Sequence, residues 1–128
     1  ATYLKKQKTL PEVIMCSVAE RAKETARLIA GALEFDLERI ILQEELYDAS
    51  TRTFFQFISQ LEDNLHHVMC VGHNPVISYL AEYLTKADIG EMVPAGMAII
   101  QFNTNTWQEV SEGTGELIHY IESENVNL

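Results

Sequence analysis

Basic residues are scarce in this chain of 128 residues. Nine Lys and Arg stand against 19 Asp and Glu, which gives a formal net charge of −10 at pH 7. A nucleic-acid-binding surface needs clustered cations to neutralise backbone phosphates, so this balance argues against DNA or RNA as a partner. A phosphate site in such a chain must be made positive locally, by a few specific residues.

Long apolar runs and cysteines are scarce as well. No apolar stretch approaches the ~20 residues needed to span a bilayer, so no membrane partner is predicted. The two cysteines, Cys16 and Cys70, each lie inside a short apolar run. That position favours buried free thiols over a disulfide framework, and free thiols fit a reducing cytoplasm.

Hydrophobic residues make up 47% of the chain, which suffices for the core of one domain, predicted over residues 1–128. Short apolar runs predict strands, and helically spaced apolar residues predict helices between them. The predicted strands span residues 13–16, 39–42, 68–71, 97–102, 107–110 and 117–121, and one helix is predicted over 51–65. The alternation of strand and helix, followed by a hairpin-rich end, predicts a three-layer α/β/α fold with a mostly parallel open sheet and an antiparallel edge.

One strand-to-helix turn carries the clearest chemistry. Residues 68–71 (VMCV) stop at Gly72, His73 and Asn74 follow, and Pro75 opens a segment with helical spacing. Asn74 suits the N-cap of that helix and Pro75 its first position. Because a helix N-terminus offers unpaired N–H groups and a partial positive charge, this turn favours an anion. The His73 imidazole could hold or protonate a phosphoryl oxygen there.

A second turn of this kind follows the first predicted strand. Ser17 and Glu20 have the S-x-x-E spacing of a capping box, which predicts Ser17 as the N-cap of the first helix. Arg21 lies in the first turn, where a cation opposes the helix dipole, so it is either a solvated surface residue or a functional one. Ligands of open α/β sheets bind at the carboxyl ends of strands. Arg21 and His73 are therefore expected to face one pocket, where arginine offers a planar fork for phosphate oxygens and histidine a charge that changes near neutral pH.

Several segments together resemble the histidine phosphatase superfamily, and in particular its small SixA-type phosphohistidine phosphatases. They are S-x-x-x-R-A-x-x-T starting at Ser17, E-x-L-Y starting at Glu44, G-H-N-P starting at Gly72, and PAGMAIIQF over residues 94–102. Their order and spacing extend over essentially the whole chain. The resemblance implies a phosphoglycerate mutase-like fold and a phosphatase that requires neither a metal nor a cofactor.

The resemblance also implies roles for individual residues. Carried over by position, Arg21 and His73 hold the phosphoryl group and take part in catalysis. Glu44 lies where many relatives have a proton-donating carboxylate, and Glu45 and Asp48 are neighbouring alternatives. The phosphate-binding residues implied in this way are Arg21, His73, Asn74 and Ser17.

The nucleophile of the superfamily does not occur in this sequence. Its members take a histidine from an R-H-G or R-H-A motif at the end of the first strand, and no such motif is present. None of His66, His67 and His119 follows an arginine at a strand end. Without that histidine no phosphohistidine intermediate forms. Because the sequence starts at Ala1 with neither a methionine nor a helix cap, we expect an upstream strand–loop–helix segment that supplies it.

With that segment, the implied reaction is an in-line attack of the upstream histidine on phosphorus. Arg21 and His73 stabilise the charge on the equatorial oxygens, and a carboxylic acid such as Glu44 protonates the leaving group. The expected substrate is a phosphorylated protein, above all one carrying phosphohistidine, or a small phosphate ester. The sequence leaves the natural substrate and the oligomeric state open.

Three alternatives also stay open. A non-catalytic domain of the same fold would bind a phospho-ligand or a protein without turnover. A cysteine phosphatase would use Cys16, but those enzymes place five residues between Cys and Arg, whereas four separate Cys16 from Arg21. A metal site would need His66, His67 and His73, but adjacent residues on a strand point apart and no further ligand spacing accompanies them.

Overall fold

Three short apolar runs form a parallel sheet. The computed structural model describes residues 10–73, 75–90, 92 and 97–121 of the chain. Strands β1 (Val13–Ser17), β2 (Ile40–Gln43) and β3 (Val68–Val71) pair in the order β2-β1-β3, and both pairings are parallel. All five residues of β1 are buried, because this strand has a hydrogen-bonded neighbour at each edge.

Helices cover both faces of this sheet. The side chains of β1 alternate between the faces, as a strand requires, so that Ile14 and Cys16 pack with α1 (Glu20–Ala32). Val13 and Met15 share a second core cluster with residues of α2 (Thr51–Ser59) and α3 (Val76–Thr85). The α1 face uses small residues, Ala22, Ala26 and Ala30. The result is the predicted three-layer α/β/α fold with a mostly parallel sheet.

An antiparallel pair follows the parallel sheet. β4 (Met97–Phe102) pairs with β5 (Gly115–Ile121), as the hairpin-rich end predicts. Within the described residues this pair is a sheet of its own and is not hydrogen-bonded to β3. Helix α1 joins the two sheets, since Ile29 and the C-cap residue Leu33 share a cluster with Met69 of β3 and with Met97 and Ile99 of β4. None of the helices in the described ranges is long and apolar enough to cross a membrane.

The prediction that Ser17 caps the first helix was wrong. Ser17 is the last residue of β1, where it lies opposite Gln43 of β2, and the N-cap of α1 is Ala19, which has extended backbone angles. Pairing with β2 carries β1 one residue beyond the apolar run, and the helix therefore starts at Glu20 rather than after Ser17. Arg21 remains in its first turn, as predicted.

Two further boundaries differ from the predicted ones. The helix predicted over 51–65 ends at Ser59, because the segment after it turns to meet the segment around Trp107. The Asp63 carboxylate accepts the Trp107 backbone N–H at 3.1 Å, and the Leu65 carbonyl accepts its indole Nε1–H at 2.9 Å. The strand predicted over 107–110 is a 3-10 helix, Trp107–Glu109, since these contacts fold the chain back on itself.

Candidate functional site

The carboxyl ends of the three parallel strands line one edge of the sheet. Cys16 lies opposite Val71, so the next residues, Ser17 and Gly72, are neighbours and His73 lies one position beyond. Ser17 also lies opposite Gln43, the last residue of β2. The loops that carry the predicted site residues therefore all leave from this edge, in the order β2, β1, β3.

Arg21 lies on the flank of α1 that is turned away from β2. Lys23 and Arg27, one helical turn apart, line a groove with residues of β2 and so mark the β2 flank. Arg21 precedes Lys23 by two positions, which is ~200° around a helix. Ala32 lies on the same flank as Arg21, and it packs in the cluster that contains Met69 of β3. Helix geometry thus brings Arg21 to the same half of the edge as His73.

The turn that holds His73 depends on a glycine. A Cβ atom on Gly72 would come within 2.6 Å of Cε2 of Phe54, a fully buried ring on α2. His73 follows this contact and is half-buried. Its carbonyl accepts the Ile77 N–H at 3.0 Å, so the backbone already turns into α3 at His73. The contact of Phe54 with this turn has no signal in the sequence beyond Gly72 itself.

The start of α3 differs by one residue from its prediction. Pro75 is the N-cap, and the helix begins at Val76 rather than at the proline. The Pro75 carbonyl accepts the Tyr79 N–H at 3.0 Å, as the N-cap carbonyl of an α-helix does. Asn74, the predicted cap and phosphate ligand, lies outside the described residues. In the part of the chain that is described, the His73 imidazole and the Arg21 guanidinium make no hydrogen bond and no ion pair.

Ser17 has a structural hydrogen bond at this edge. It is 1% exposed, and its Oγ accepts the Ala19 N–H at 3.2 Å, which closes the turn from β1 into α1. A hydroxyl has one donor and two acceptor positions, so the Ser17 O–H remains able to donate. The hydrogen bond shows that Ser17 shapes the turn whether or not it meets a ligand.

Among the described residues, the N-cap residues of α1 and α3 make no side-chain hydrogen bond to their helices. Neither Ala19 before α1 nor Pro75 before α3 provides a side-chain acceptor for the first N–H groups. The third helix is capped, since the Ser50 side chain accepts the Thr53 N–H at 3.1 Å. Uncapped N–H groups and the positive ends of α1 and α3 thus point toward the edge that carries Arg21 and His73. An anion bound between them would satisfy these donors.

Glu44 lies on the other side of β1 from His73. It follows β2 directly, in the 3-10 helix Glu44–Leu46, and its side chain is exposed. Because β1 separates β2 from β3, the two outer strands are about 10 Å apart, twice the spacing of neighbouring strands. Glu45 and Asp48 are exposed on the same loop, and Asp48 has a left-handed backbone with φ of 52°.

Gln43 is a residue of this edge that the sequence reasoning did not single out. Its Nε2 lies 3.8 Å from the sulfur of Met15, and its partner in the strand register is Ser17. A polar residue directly after the apolar pair at 41–42 was the available signal, but glutamine is common at strand ends and no motif marks it.

The environment of Cys16 argues against a cysteine nucleophile. Cys16 is fully buried, and burial raises the pKa of its thiol to about 11 although Lys23 and Arg27 act in the opposite direction. Its Sγ–H donates to the Ser17 carbonyl at 3.1 Å. Burial likewise raises the pKa of Cys70 to about 12. In the described ranges, no three residues among His, Cys, Asp and Glu are grouped so that they could hold a metal ion.

No family model matches this chain. Two proteins of Mycobacterium tuberculosis are similar to it in sequence: the uncharacterized proteins Rv1276c (strain ATCC 25618 / H37Rv) and MT1313 (strain CDC 1551 / Oshkosh). Each is 27% identical over 119 residues, which cover 85% of this chain and 72% of the relative. Both relatives thus extend beyond the part that this chain matches.

Solved structures establish the fold. The protein histidine phosphatase SixA complexed with tungstate has a TM-score of 0.76 and 19% identity over 97% of this chain and 76% of its own. Structures named as phosphohistidine phosphatase SixA from Nakamurella multipartitia and Agrobacterium tumefaciens have TM-scores of 0.73 and 0.72, with 18% and 21% identity. They align with 93% of this chain and with 74% and 72% of their own. The chain therefore has the fold of these SixA structures, which is phosphoglycerate mutase-like.

Proposed function

We propose that this chain is the larger part of a cytoplasmic, metal-independent phosphatase that acts on phosphohistidine or on a phosphate ester. The observation that carries the proposal is that Arg21, in the first turn of α1, and His73, directly after β3, follow neighbouring parallel strands at the carboxyl edge of the sheet. An oxyanion is the ligand that satisfies a guanidinium, an imidazole and free backbone N–H groups together. The SixA fold agrees with this choice of ligand.

In the proposed reaction, a histidine upstream of this sequence attacks phosphorus in line. A P–N bond to that histidine forms as the bond from phosphorus to the leaving atom breaks. Arg21 binds two equatorial oxygens through its planar fork, and His73 with the free N–H groups stabilises the third. Water then cleaves the P–N bond, which releases inorganic phosphate and restores the histidine.

The arrangement of the sheets supports an upstream strand as the source of that histidine. Among the described strands, β3 is paired only with β1, and β4 only with β5. Both α1 and α3 pack on residues from the two sheets, so β3 and β4 lie in the same layer. The residues of β3 are half-buried except Val71, whereas those of β1 are buried throughout. An added strand between β3 and β4 would bury both and end beside His73.

Glu44 is the proposed proton donor for substrates with a poor leaving group. Glu44 follows β2, whereas His73 follows β3, and Ser17 at the end of β1 lies between them. Glu44 would therefore approach the leaving group from the β2 side. An oxygen leaving group needs a proton more than the nitrogen of phosphohistidine does. We therefore expect Glu44→Gln to slow the hydrolysis of an alkyl phosphate while leaving phosphohistidine hydrolysis nearly unchanged.

Binding of tungstate tests the site without turnover. Tungstate resembles phosphate in charge and shape, and we expect it to bind this chain in an isothermal titration. Arg21→Ala and His73→Ala should each weaken that binding at least tenfold, because each removes a charge-assisted contact. Arg52→Ala is the matched control, since Arg52 is an exposed arginine on α2. Equal binding by all four proteins would overturn the proposed site.

Turnover is tested in the full-length natural protein. The same two substitutions should lower the rate of phosphohistidine hydrolysis about 100-fold, by analogy with the loss of one oxyanion-stabilising group. The second candidate is a binding domain without turnover, which is favoured by the lack of an R-H-G motif in this sequence. The intact mass of the natural protein shows whether an upstream segment exists. A mass several kDa above the 14.5 kDa of this chain leaves room for the upstream histidine. A protein of that larger mass that binds tungstate but does not hydrolyse phosphohistidine would support the second candidate.

A further inference from the structure

The outer edge of β2 is an exposed apolar strand. Among the described strands β2 pairs only with β1, so its other edge offers backbone N–H and C=O groups for pairing. Ile41 is 41% and Leu42 49% exposed, and no charged residue, proline or bulge interrupts the strand. Edge strands are usually protected by such features, because a bare apolar edge pairs with another chain.

A groove lies beside this edge on the α1 face. It has a volume of about 140 Å³ and is lined by Lys23, Arg27, Leu37, Ile40 and Leu42. The lining thus combines three apolar residues with two cations and contains no acidic residue. Leu37, the first residue of the 3-10 helix that precedes β2, is 54% exposed. Lys23 forms an ion pair with Glu20 at 3.1 Å, whereas Arg27 has no ion pair within the described residues and gives the groove an unbalanced positive charge in a chain with a net charge of −10.

We propose that this surface, the β2 groove, binds an extended, acidic and apolar segment of a partner protein by adding it to the sheet as a strand. Backbone hydrogen bonds would form along residues 40–43. Side chains of an added strand alternate between the two faces. On the α1 face an apolar side chain would enter the groove, and acidic side chains two positions away would reach Lys23 and Arg27. On the opposite face apolar side chains would cover Ile41.

A second copy of this chain fits the surface less well. If two copies paired through antiparallel β2 edges, both α1 helices would lie on the same face of the joined sheet. Lys23 and Arg27 of each copy would then approach the same residues of the other, and like charges at close range repel. The net charge of −10 per chain opposes self-association further. A partner segment that carries carboxylates would be attracted by these cations, and it would not bring a second set of the same cations to the edge.

The β2 groove lies apart from the proposed phosphate site. Lys23 and Arg27 line the flank of α1 that faces β2, whereas Arg21 lies on the opposite flank. The inference therefore does not depend on phosphatase activity. A partner could occupy the groove while the carboxyl edge near His73 stays open to a phosphoryl group.

A labelled pentapeptide tests the proposal on the intact chain. The probe is fluorescein-labelled Glu-Val-Leu-Val-Glu, whose leucine and two glutamates share one face of a strand, and binding is measured by fluorescence anisotropy. We expect binding that weakens about fivefold in Arg27→Glu, the scale of an exposed ion pair. The control Arg52→Glu makes the same charge change at an exposed arginine of α2 and should leave the affinity unchanged. The peptide Lys-Val-Leu-Val-Lys should show the opposite response to Arg27→Glu.

Two further measurements separate strand addition from simple charge attraction. A peptide N-methylated along its backbone keeps the charges but cannot donate to β2, and it should not bind. Amide exchange at residues 40–43 should slow when the unmodified peptide is bound. The proposal is overturned if the N-methylated peptide binds equally well, if Arg27→Glu and Arg52→Glu behave alike, or if sedimentation shows a dimer that excludes the peptide.

Discussion

The two strand-to-helix junctions of the site are built by different means. After β1, the chain turns through a local hydrogen bond, in which the buried Ser17 Oγ accepts the Ala19 N–H. After β3, the turn is fixed from a distance, because the Phe54 ring of α2 fills the place of a side chain on Gly72. The first junction is closed by one hydrogen bond, whereas the second leaves no room for a side chain at Gly72. The backbone before α1 is thus held by a hydrogen bond, and the backbone before His73 by a steric contact.

The largest expected effect comes from adding one methyl group at the second junction. Gly72→Ala places a Cβ 2.6 Å from the Phe54 ring, so we expect a loss of about 2–3 kcal/mol in the free energy of unfolding. Gly31→Ala is the control, since nothing lies within 4 Å of a Cβ there and alanine is a better helix former by up to about 1 kcal/mol. Urea unfolding measures the free energy of unfolding of both variants. If Phe54→Leu does not relieve the cost of Gly72→Ala, the contact is not its cause.

A smaller loss is expected at the first junction. Ser17→Ala removes the acceptor of the Ala19 N–H, which should cost about 1 kcal/mol of unfolding free energy. Ser50→Ala, at the N-cap of α2, should cost about the same and gives the reference value. Tungstate binding should be reduced less by Ser17→Ala than by Arg21→Ala. A Ser17→Ala protein that is fully stable but binds no tungstate would make Ser17 a ligand rather than a part of the turn.

Strands β1 and β3 can also be compared through the reactivity of the cysteine that each contains. Burial raises the pKa of Cys16 in β1 to about 11 and that of Cys70 in β3 to about 12. At pH 8 only about one thiol in a thousand or fewer is then a thiolate, the reactive form. We expect neither cysteine to react with iodoacetamide at pH 8 in the folded protein, and both to react in urea, as read by mass spectrometry. Fast labelling of Cys16 in the folded state would contradict its burial.

The smallest effect on stability is expected where β1 and β3 begin. The Glu12 carboxylate accepts the N–H groups of His66 at 2.5 Å and His67 at 2.8 Å, and these bonds lower its pKa. A lowered pKa stabilises the fold above the unfolded value of about 4.5, and that contribution is lost as the pH falls through the folded pKa. Glu12→Gln should therefore flatten the fall in stability below pH 4.5. An unchanged acid profile would mean that the exposed carboxylate contributes nothing.

Sequence patterns predicted the elements better than their boundaries. The runs VIMC and VMCV predict strands because a strand packed on both faces is apolar at successive positions, and the spacing after Pro75 predicts a helix because one helix face recurs every three to four residues. The end of α2 at Ser59 and the 3-10 helix at Trp107 depend on each other through the Asp63 and Leu65 contacts, so neither segment alone predicts them. The same holds for Gly72, whose partner Phe54 lies 18 positions away.

The candidate site rests on a related rule. Because carboxyl ends of parallel strands share an edge, the sequence predicts that Arg21 and His73 lie at one edge of the sheet, and their place in a site stays a prediction. The rule says nothing about which flank of α1 a side chain takes, and only the groove with β2 fixes Arg21 on the β3 flank. Nor does the sequence order reveal that Glu44 emerges beyond β1, because strand order is set by packing.

The pairing of β1 with β3 also has a consequence for how the chain folds. Glu12 and His67, which meet where these strands begin, are 55 positions apart, whereas β4 and β5 are joined by a short segment. Closing the longer loop costs more chain entropy before any contact forms. The antiparallel hairpin can thus assemble early, while the parallel sheet and the edge that carries both functional junctions must wait for distant segments to meet. Under the proposed function, binding of an oxyanion would then be among the last properties that the molecule acquires as it folds.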